Sequence, residues 1–273
     1  MAMTDNNRIR TDPCLITFWL IGGLLVILII LAAATLAVPE LMAPGHLLSV
    51  AMDTGVINAI AVTFAAGFVA VGFLIILGTP LAYVLARGRS RWNGVIETIV
   101  DLPLALPHTV AGLMVYLLFM MRGPLGIPFN EVGIVFEDAF LGIVAAMIFV
   151  SIPYYVDAVR EGIVKVPERL EYVARTLGAT QYDAFRTITL PLSVRPILSG
   201  AFLAWGRAIG EFAAVVMIAY FPMVVSTLIY HRFTTGGLEE SRSIAFIMLI
   251  ICLAVFLAFR LISHQWGRNH DRT

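Results

Sequence analysis

Residues 56–86 read VINAIAVTFAAGFVAVGFLIILGTPLAYVLA and contain no charged side chain. About 20 mostly apolar residues in a helix cross the hydrocarbon core of a bilayer, so this run is long enough to span a membrane and extend beyond it. Five other runs are similarly apolar. Together they predict an all-α, polytopic membrane bundle of six spans: Leu15–Val38, Val56–Ala86, Leu102–Met121, Ala139–Val159, Pro196–Phe221 and Ser243–Ile262.

The composition supports this fold class and excludes several functions. Hydrophobic residues make up 60% of the 273 residues and charged residues only 13%, whereas soluble domains carry about 25% charged residues. The net charge of zero argues against a nucleic-acid partner, which selects for basic chains. Lys165 is the only lysine and has no glycine-rich lead-in, so the chain lacks the phosphate-binding P-loop. We therefore expect no enzyme activity and no bound cofactor in this chain.

Arginine and lysine are distributed unequally between the two sides of the predicted spans. Cytoplasmic loops carry the excess of basic residues in membrane proteins. One side holds fourteen of the eighteen, against three on the other. The pattern predicts cytoplasmic tails at residues 1–14 and 263–273, a membrane domain at residues 15–262, and a long cytoplasmic connection at residues 160–195. The remaining basic residue, Arg207, lies within a predicted span.

The cytoplasmic connection contains the stretch 167–191, PERLEYVARTLGATQYDAFRTITLP. Its first half repeats apolar residues on one helical face, from Leu170 to Leu177, which predicts a short amphipathic helix. Gly178 occupies the position of a helix-terminating glycine, and Thr180 with Asp183 predicts the start of a second helix. On physical grounds such a unit either lies on the lipid surface or on its own bundle, or inserts into a groove of a partner protein.

A few polar side chains interrupt the predicted spans. Arg207 and Glu211 are four residues apart, which places them within reach of an ion pair on one helix. Charged groups inside a membrane face the bundle interior and mark either a pathway or a helix-locking pair. The same two alternatives, pathway contact or packing, apply to the other polar candidates, which are His108, Thr109, Asn58 and Thr63.

The spacing of Gly178, Ile188 and Leu190-Pro191 resembles the cytoplasmic signature of permeases of binding-protein-dependent ABC importers. The front of that signature departs from the family pattern, because Tyr172 and Val173 stand where alanines are usual. Other segments are similar to the molybdate and sulfate branch, namely 78–87, 101–112 and 207–212. The segment 218–234 is most similar to the tungstate/molybdate type.

This resemblance implies a type I importer permease in the cell membrane, working as a homodimer with a cytoplasmic ATPase dimer and an extracytoplasmic solute-binding protein. It would move molybdate or tungstate by alternating access. The residues that it implies for ATPase coupling are Glu168, Leu170, Glu171, Val173, Ala174, Leu177, Gly178 and Ala179. A sulfate or thiosulfate permease of the same type is the alternative within the family. An ion-coupled secondary transporter that uses Arg207 and Glu211 as a relay is the alternative outside it.

Overall fold

A computed structural model describes the backbone of residues 13–270 and the side chains of residues 15–261. This part of the chain contains helices and no strand. It divides into two compact units, a terminal unit (residues 13–53 and 235–270) and a central unit (residues 54–234). The predicted tail at residues 1–14 lies outside the described side chains, whereas the last helix continues through most of the predicted tail at residues 263–273.

The terminal unit consists of three helices, α1 (Pro13–Met42), α2 (Pro44–Ala51) and α15 (Leu238–His270). The apolar side chains of α1 are exposed along most of its length, as expected of a surface that meets lipid. Glu40, near the end of α1, is in contrast only 1% exposed. Its carboxylate accepts hydrogen bonds from Arg242 Nε and Ser243 Oγ, both at 2.6 Å.

The central unit holds the remaining helices. They are α3 (Thr54–Phe73), α4 (Thr79–Arg87), α5 (Asn93–Ala105), α6 (His108–Phe119), α7 (Gly126–Glu131), α8 (Phe140–Val164), α9 (Glu168–Thr176), α10 (Gln181–Ala184), α11 (Leu190–Leu192), α12 (Val194–Ile209), α13 (Ala213–Ile218) and α14 (Val225–Gly236). Two π-helical segments, Leu74–Gly78 and Phe185–Thr189, join α3 to α4 and α10 to α11.

α8 is the centre of this unit and packs against α3, α4, α5, α6, α12 and α13. Small residues allow the close helix contacts that membrane bundles require. A Cβ atom on Gly112 of α6 would lie 2.6 Å from the Ala214 backbone, and one on Gly67 of α3 would lie 3.0 Å from Ile209. The helices that carry the polar candidates are thus held close to one another.

The π-helical segment in the second span has a local cause. Pro80 lacks the N–H that an α-helix would use at this turn, and one extra residue per turn accommodates the gap. Gly78 lies against the ring of Tyr155, where an added Cβ would come within 2.7 Å. The hydroxyl groups of Thr79 and Tyr155 are hydrogen-bonded at 2.7 Å. The span therefore continues from Thr54 to Arg87.

Within residues 13–270, four helices are long and apolar enough to cross a membrane, or up to six if each of two bent pairs counts as one span. The predicted span Leu102–Met121 is interrupted. α5 and α6 are bent by 114° at a break between them. The reason is Pro107, which restricts the residue before it to extended backbone, and Leu106 has φ −85° and ψ 143°.

The predicted span Pro196–Phe221 is also interrupted. α12 ends at Ile209, and the short helix α13 begins at Ala213. The side chain of Glu211 accepts a hydrogen bond from the backbone N–H of Ala214 at 2.7 Å. A carboxylate that satisfies a free N–H in the first turn favours the start of a new helix over continuation of the old one.

Candidate coupling surface and polar cluster

The chain from α9 to α10 confirms the predicted pair of helices and the glycine between them. Glu168 and Glu171 lie in the first turn of α9, where negative charge is favourable next to the helix dipole. Gly178 has φ +96°, a conformation that glycine adopts without steric cost. The N–H of Ala179 donates to Ala174 O at 3.1 Å and ends the helix.

The start of α10 is a capping box, as the sequence predicted. Thr180 Oγ1 accepts from the Asp183 N–H at 3.1 Å, and the Asp183 carboxylate accepts from the Thr180 N–H at 3.1 Å. The Thr180 hydroxyl also donates to Asp183 Oδ2 at 2.6 Å. This hydrogen bond and the one from the Thr180 N–H lower the pKa of the Asp183 carboxyl below its ordinary value. Hydrogen bonds to the backbone thus fix the turn between α9 and α10, both where α9 ends and where α10 begins.

One face of α9 is apolar and exposed. Leu170 is 42% exposed, Val173 49% and Leu177 83%. Together with Arg169, Ala174 and Ile188, these residues line a shallow apolar depression. Apolar side chains grouped in this way mark an interaction surface. We call Leu170, Val173 and Leu177 the α9 face.

Glu171, one of the residues predicted to couple the chain to an ATPase, lies off the exposed face of α9. It is only 8% exposed and belongs to an inward cluster. Its carboxylate accepts from Thr189 Oγ1 at 2.6 Å, from Arg87 Nε at 2.9 Å and from Tyr83 OH at 2.9 Å. We call these four residues the Glu171 hub. The position of Glu171 between two exposed apolar residues of a short helix gave no signal of its burial.

Three of the polar candidates from the spans meet in a second cluster. Arg207 Nη2 lies 2.5 Å from Glu211 Oε2 and 3.0 Å from His108 Nδ1. Glu211 is 2% exposed, and the side chain of Arg207 is 17% exposed. The side chain of His108 is 51% exposed. The predicted ion pair is therefore present, with Glu211 beyond the end of α12 rather than on it.

The other three polar candidates lie elsewhere. Thr63 is fully buried; its hydroxyl donates to Ala59 O at 2.6 Å and accepts from the Val225 N–H at 2.9 Å. Thr63 thus links α3 to the start of α14, which favours the packing alternative for this residue. Asn58 and Thr109 are exposed. Among the described residues, no group of three or more His, Cys, Asp or Glu could hold a metal ion.

Sequence reasoning missed three members of the Glu171 hub. Arg87 was used only as a marker of the cytoplasmic side, and Tyr83 and Thr189 received no role. Arg87 is the last residue of the second span and its side chain is 8% exposed. The available signal was a charged residue at the end of an apolar helix, and it does not identify the partner.

Known proteins are similar to most of this chain. A sequence profile described as "Binding-protein-dependent transport system inner membrane component" matches residues 78–268. The molybdate/tungstate transport system permease protein WtpB of Thermococcus kodakarensis is 36% identical over 92% of this chain and 96% of the relative. The protein of the same name from Pyrococcus furiosus is 41% identical over 71% and 73%. The sulfate transport system permease protein CysT of Synechocystis is 31% identical over 71% and 69%.

Solved structures share the fold. A bacterial ABC transporter involved in the import of the acidic polysaccharide alginate aligns with a TM-score of 0.68 and 19% identity, covering 90% of this chain and 96% of the other. Since the sequence profile covers more than half of the chain and the relatives exceed 30% identity, the family is established. The chain belongs to the binding-protein-dependent transport system inner membrane components, the permeases of ABC importers.

Proposed function

We propose that this chain is the membrane subunit through which an ATP-driven importer moves molybdate or tungstate into the cell. The substrate class is supported by the relatives named molybdate/tungstate permeases, which match at 36% and 41% identity, against 31% for the sulfate permease. The observation that carries the mechanism is the exposed α9 face on a helix whose two ends are fixed by Gly178 and by the first-turn carboxylates.

The α9 face is the docking site for the ATPase. A short amphipathic helix that presents apolar residues at i, i+3 and i+7 inserts into a groove of a partner by its apolar side chains. Leu170, Val173 and Leu177 have this spacing. The chain has no P-loop of its own, so a separate ATPase with bound ATP and Mg²⁺ must supply the energy. The basic residues of the connection favour a cytoplasmic position for this site and for both termini.

Two copies of the permease would each dock one subunit of an ATPase dimer, and a solute-binding protein would deliver the anion on the opposite side. ATP binding would draw the two α9 helices together and turn the bundle outward, and hydrolysis would reset it. Such a cycle needs a bundle with two stable packings rather than any chemistry on the permease.

The cluster of His108, Arg207 and Glu211 is the proposed polar contact on the anion pathway. Arg207 and Glu211 neutralise one another, so the half-exposed ring of His108 is the member that offers hydrogen bonds to a passing oxyanion. Exposed Asn58 and Thr109 are the two remaining candidates for the same role. Tetrahedral oxyanions accept hydrogen bonds through every oxygen, so neutral and cationic donors both serve.

Leu177→Glu tests the docking role. The side chain is 83% exposed, so the substitution should leave the fold intact while placing a charge in an apolar interface. We expect the permease to reach the membrane and to lose co-purification of the ATPase. The matched control is Val132→Glu, which changes a 70% exposed residue outside the α9 face and should retain the ATPase. Stoichiometric co-purification with Leu177→Glu would refute the docking role.

Uptake of labelled molybdate into proteoliposomes tests the substrate class and the ATP requirement. Excess tungstate should compete and excess sulfate should not, and uptake should stop when ATP is omitted. Uptake driven by an ion gradient in the absence of the ATPase would support the secondary-transporter alternative. Competition by sulfate equal to that by tungstate would support the sulfate alternative.

A further inference from the structure

The Glu171 hub joins three cytoplasmic elements through one carboxylate. Tyr83 and Arg87 lie in α4 at the end of the second span, Glu171 lies in α9, and Thr189 ends the π-helical segment before α11. Both carboxylate oxygens are used, Oε1 by Arg87 and Thr189 and Oε2 by Tyr83. The carboxylate is the only acceptor that these three donors share among the hydrogen bonds of the described residues.

Arg87 extends the hub to a fourth element. Its Nη2 donates to the backbone carbonyl of Val166 at 2.6 Å, in the turn between α8 and α9. The rings of Tyr83 and Phe185 also contact each other with centroids 4.7 Å apart. Hydrogen bonds to the Glu171 carboxylate therefore attach one side of α9 to these elements, while the α9 face on the other side is exposed.

Charge-assisted hydrogen bonds are shorter and about twice as strong as neutral ones. Breaking one partner of such a buried network leaves the others unsatisfied, so the network resists separation of its elements. Burial alone raises the pKa of Glu171, but the hydrogen bonds from Thr189, Arg87 and Tyr83 outweigh it and lower the pKa below its ordinary value. The carboxylate thus stays ionised at neutral pH.

We propose that Glu171 is a positioning residue that transmits the movement of α9 to the cytoplasmic ends of the second and fifth spans. The inference rests on the proposed function, since it takes the α9 face as the docking site. Glu171 itself is not on that face, because it is only 8% exposed and both of its carboxylate oxygens accept hydrogen bonds within the chain. When the ATPase displaces α9, Arg87 draws α4 with it, and Thr189 draws the segment that leads into α12.

The test uses the intact importer in proteoliposomes, with its ATPase and molybdate-loaded binding protein. Three quantities are measured: the ATPase retained per permease, the basal ATP hydrolysis, and the molybdate taken up per ATP hydrolysed. Glu171→Gln keeps the size of the side chain and removes its charge. We expect normal ATPase retention and a ratio of uptake to hydrolysis that falls roughly two- to thirtyfold. Glu161→Gln, at an exposed carboxylate of α8, is the matched control and should leave the ratio unchanged.

Arg87→Gln should reproduce this loss, and the double variant Glu171→Gln/Arg87→Gln should lose no more than either single variant, because the two side chains act as one unit. Thr189→Val and Tyr83→Phe each remove one donor without changing side-chain size much and should give smaller losses in the same ratio. They serve as independent tests if Glu171→Gln lowers expression.

Two results would overturn the proposal. One is loss of ATPase retention in Glu171→Gln with an unchanged uptake ratio in the complexes that remain, which would make Glu171 a docking residue. The other is an unchanged ratio in all four single variants. Failure of the proposed function has a different signature, since the unsubstituted permease would then retain no ATPase.

Discussion

Replacement of Glu211 by alanine should destabilise the protein strongly, because Glu211 serves two partners at once. Its Oε2 atom lies 2.5 Å from Arg207 Nη2, and its Oε1 atom accepts the Ala214 N–H at 2.7 Å. Only 2% of the side chain is exposed. The substitution therefore leaves a largely buried guanidinium without a counter-charge and a buried N–H without an acceptor.

The size of the effect follows from these contacts. Removal of one partner of a buried ion pair costs about 3–5 kcal/mol. A change of 1 kcal/mol shifts Tm by about 2–4 °C in chains of 150–250 residues, so we expect a decrease of about 6–20 °C. Glu211→Gln should cost less, because the amide oxygen still accepts the Ala214 N–H.

The assay is thermal unfolding of the purified permease in detergent, with Arg207→Met and the double variant Arg207→Met/Glu211→Gln alongside. The double variant has no uncompensated charge, so it should be more stable than the sum of the single losses predicts. Strictly additive losses would refute the reasoning, since they would mean that Arg207 and Glu211 do not stabilise one another. A decrease below 2 °C for Glu211→Ala would refute it equally.

Three other predictions concern stability. Thr63→Val should lower the free energy of unfolding by about 1–3 kcal/mol, because it leaves the Val225 N–H unpaired. Thermal unfolding would detect this loss. The control is Thr98→Val, at an exposed threonine, and an equal loss in that variant would contradict the prediction. Gly178→Ala should lower the free energy of unfolding by about 1–2 kcal/mol, because φ at this residue is +96°. A protease should then cleave the loop faster. The control Gly94→Ala, where a Cβ meets open space, should not change the cleavage rate. The pKa of Glu171 is lowered in the folded protein. Its contribution to stability is therefore constant above the ordinary pKa and is lost as pH falls through the lower folded value. The difference in Tm between the unsubstituted protein and Glu171→Gln should shrink on acidification, and a difference that grows would contradict the mechanism.

Local chemistry made the loop predictable. Gly178 terminates α9 and Thr180 with Asp183 starts α10, and both features act over three or four residues of sequence. The apolar period that placed Leu170 and Leu177 on one face is likewise local, since it follows from the 3.6-residue turn. These parts of the site were therefore readable without knowing what the loop packs against.

The orientation of Glu171 could not be predicted from the sequence, because its partners are distant along the chain. Its burial depends on Arg87, which is 84 residues away, and on Thr189, 18 residues away. A helical wheel of α9 places Glu171 off the face that carries Leu170, about 100° away. It gives no information about which flank of α9 meets the membrane domain. Thr63 is a similar case, since its partner Val225 is 162 residues away.

The two predicted spans that proved to be interrupted break next to the same polar cluster. His108 is the first residue of α6 after the break at Pro107, and Arg207 lies in the last turn of α12, before Glu211. A hydropathy scale counts each of these polar side chains only as an unfavourable free energy of insertion within a continuous helix. At helix ends they are useful instead, because the unpaired backbone groups there need partners that an apolar side chain cannot provide. Glu211 supplies one to Ala214, and Arg207 is held at a helix C-terminus, where positive charge is favoured. The residues that weakened the two spans in the sequence are thus those that stabilise the breaks in the structure, and non-helical backbone at membrane depth is stable only where the protein satisfies it in this way.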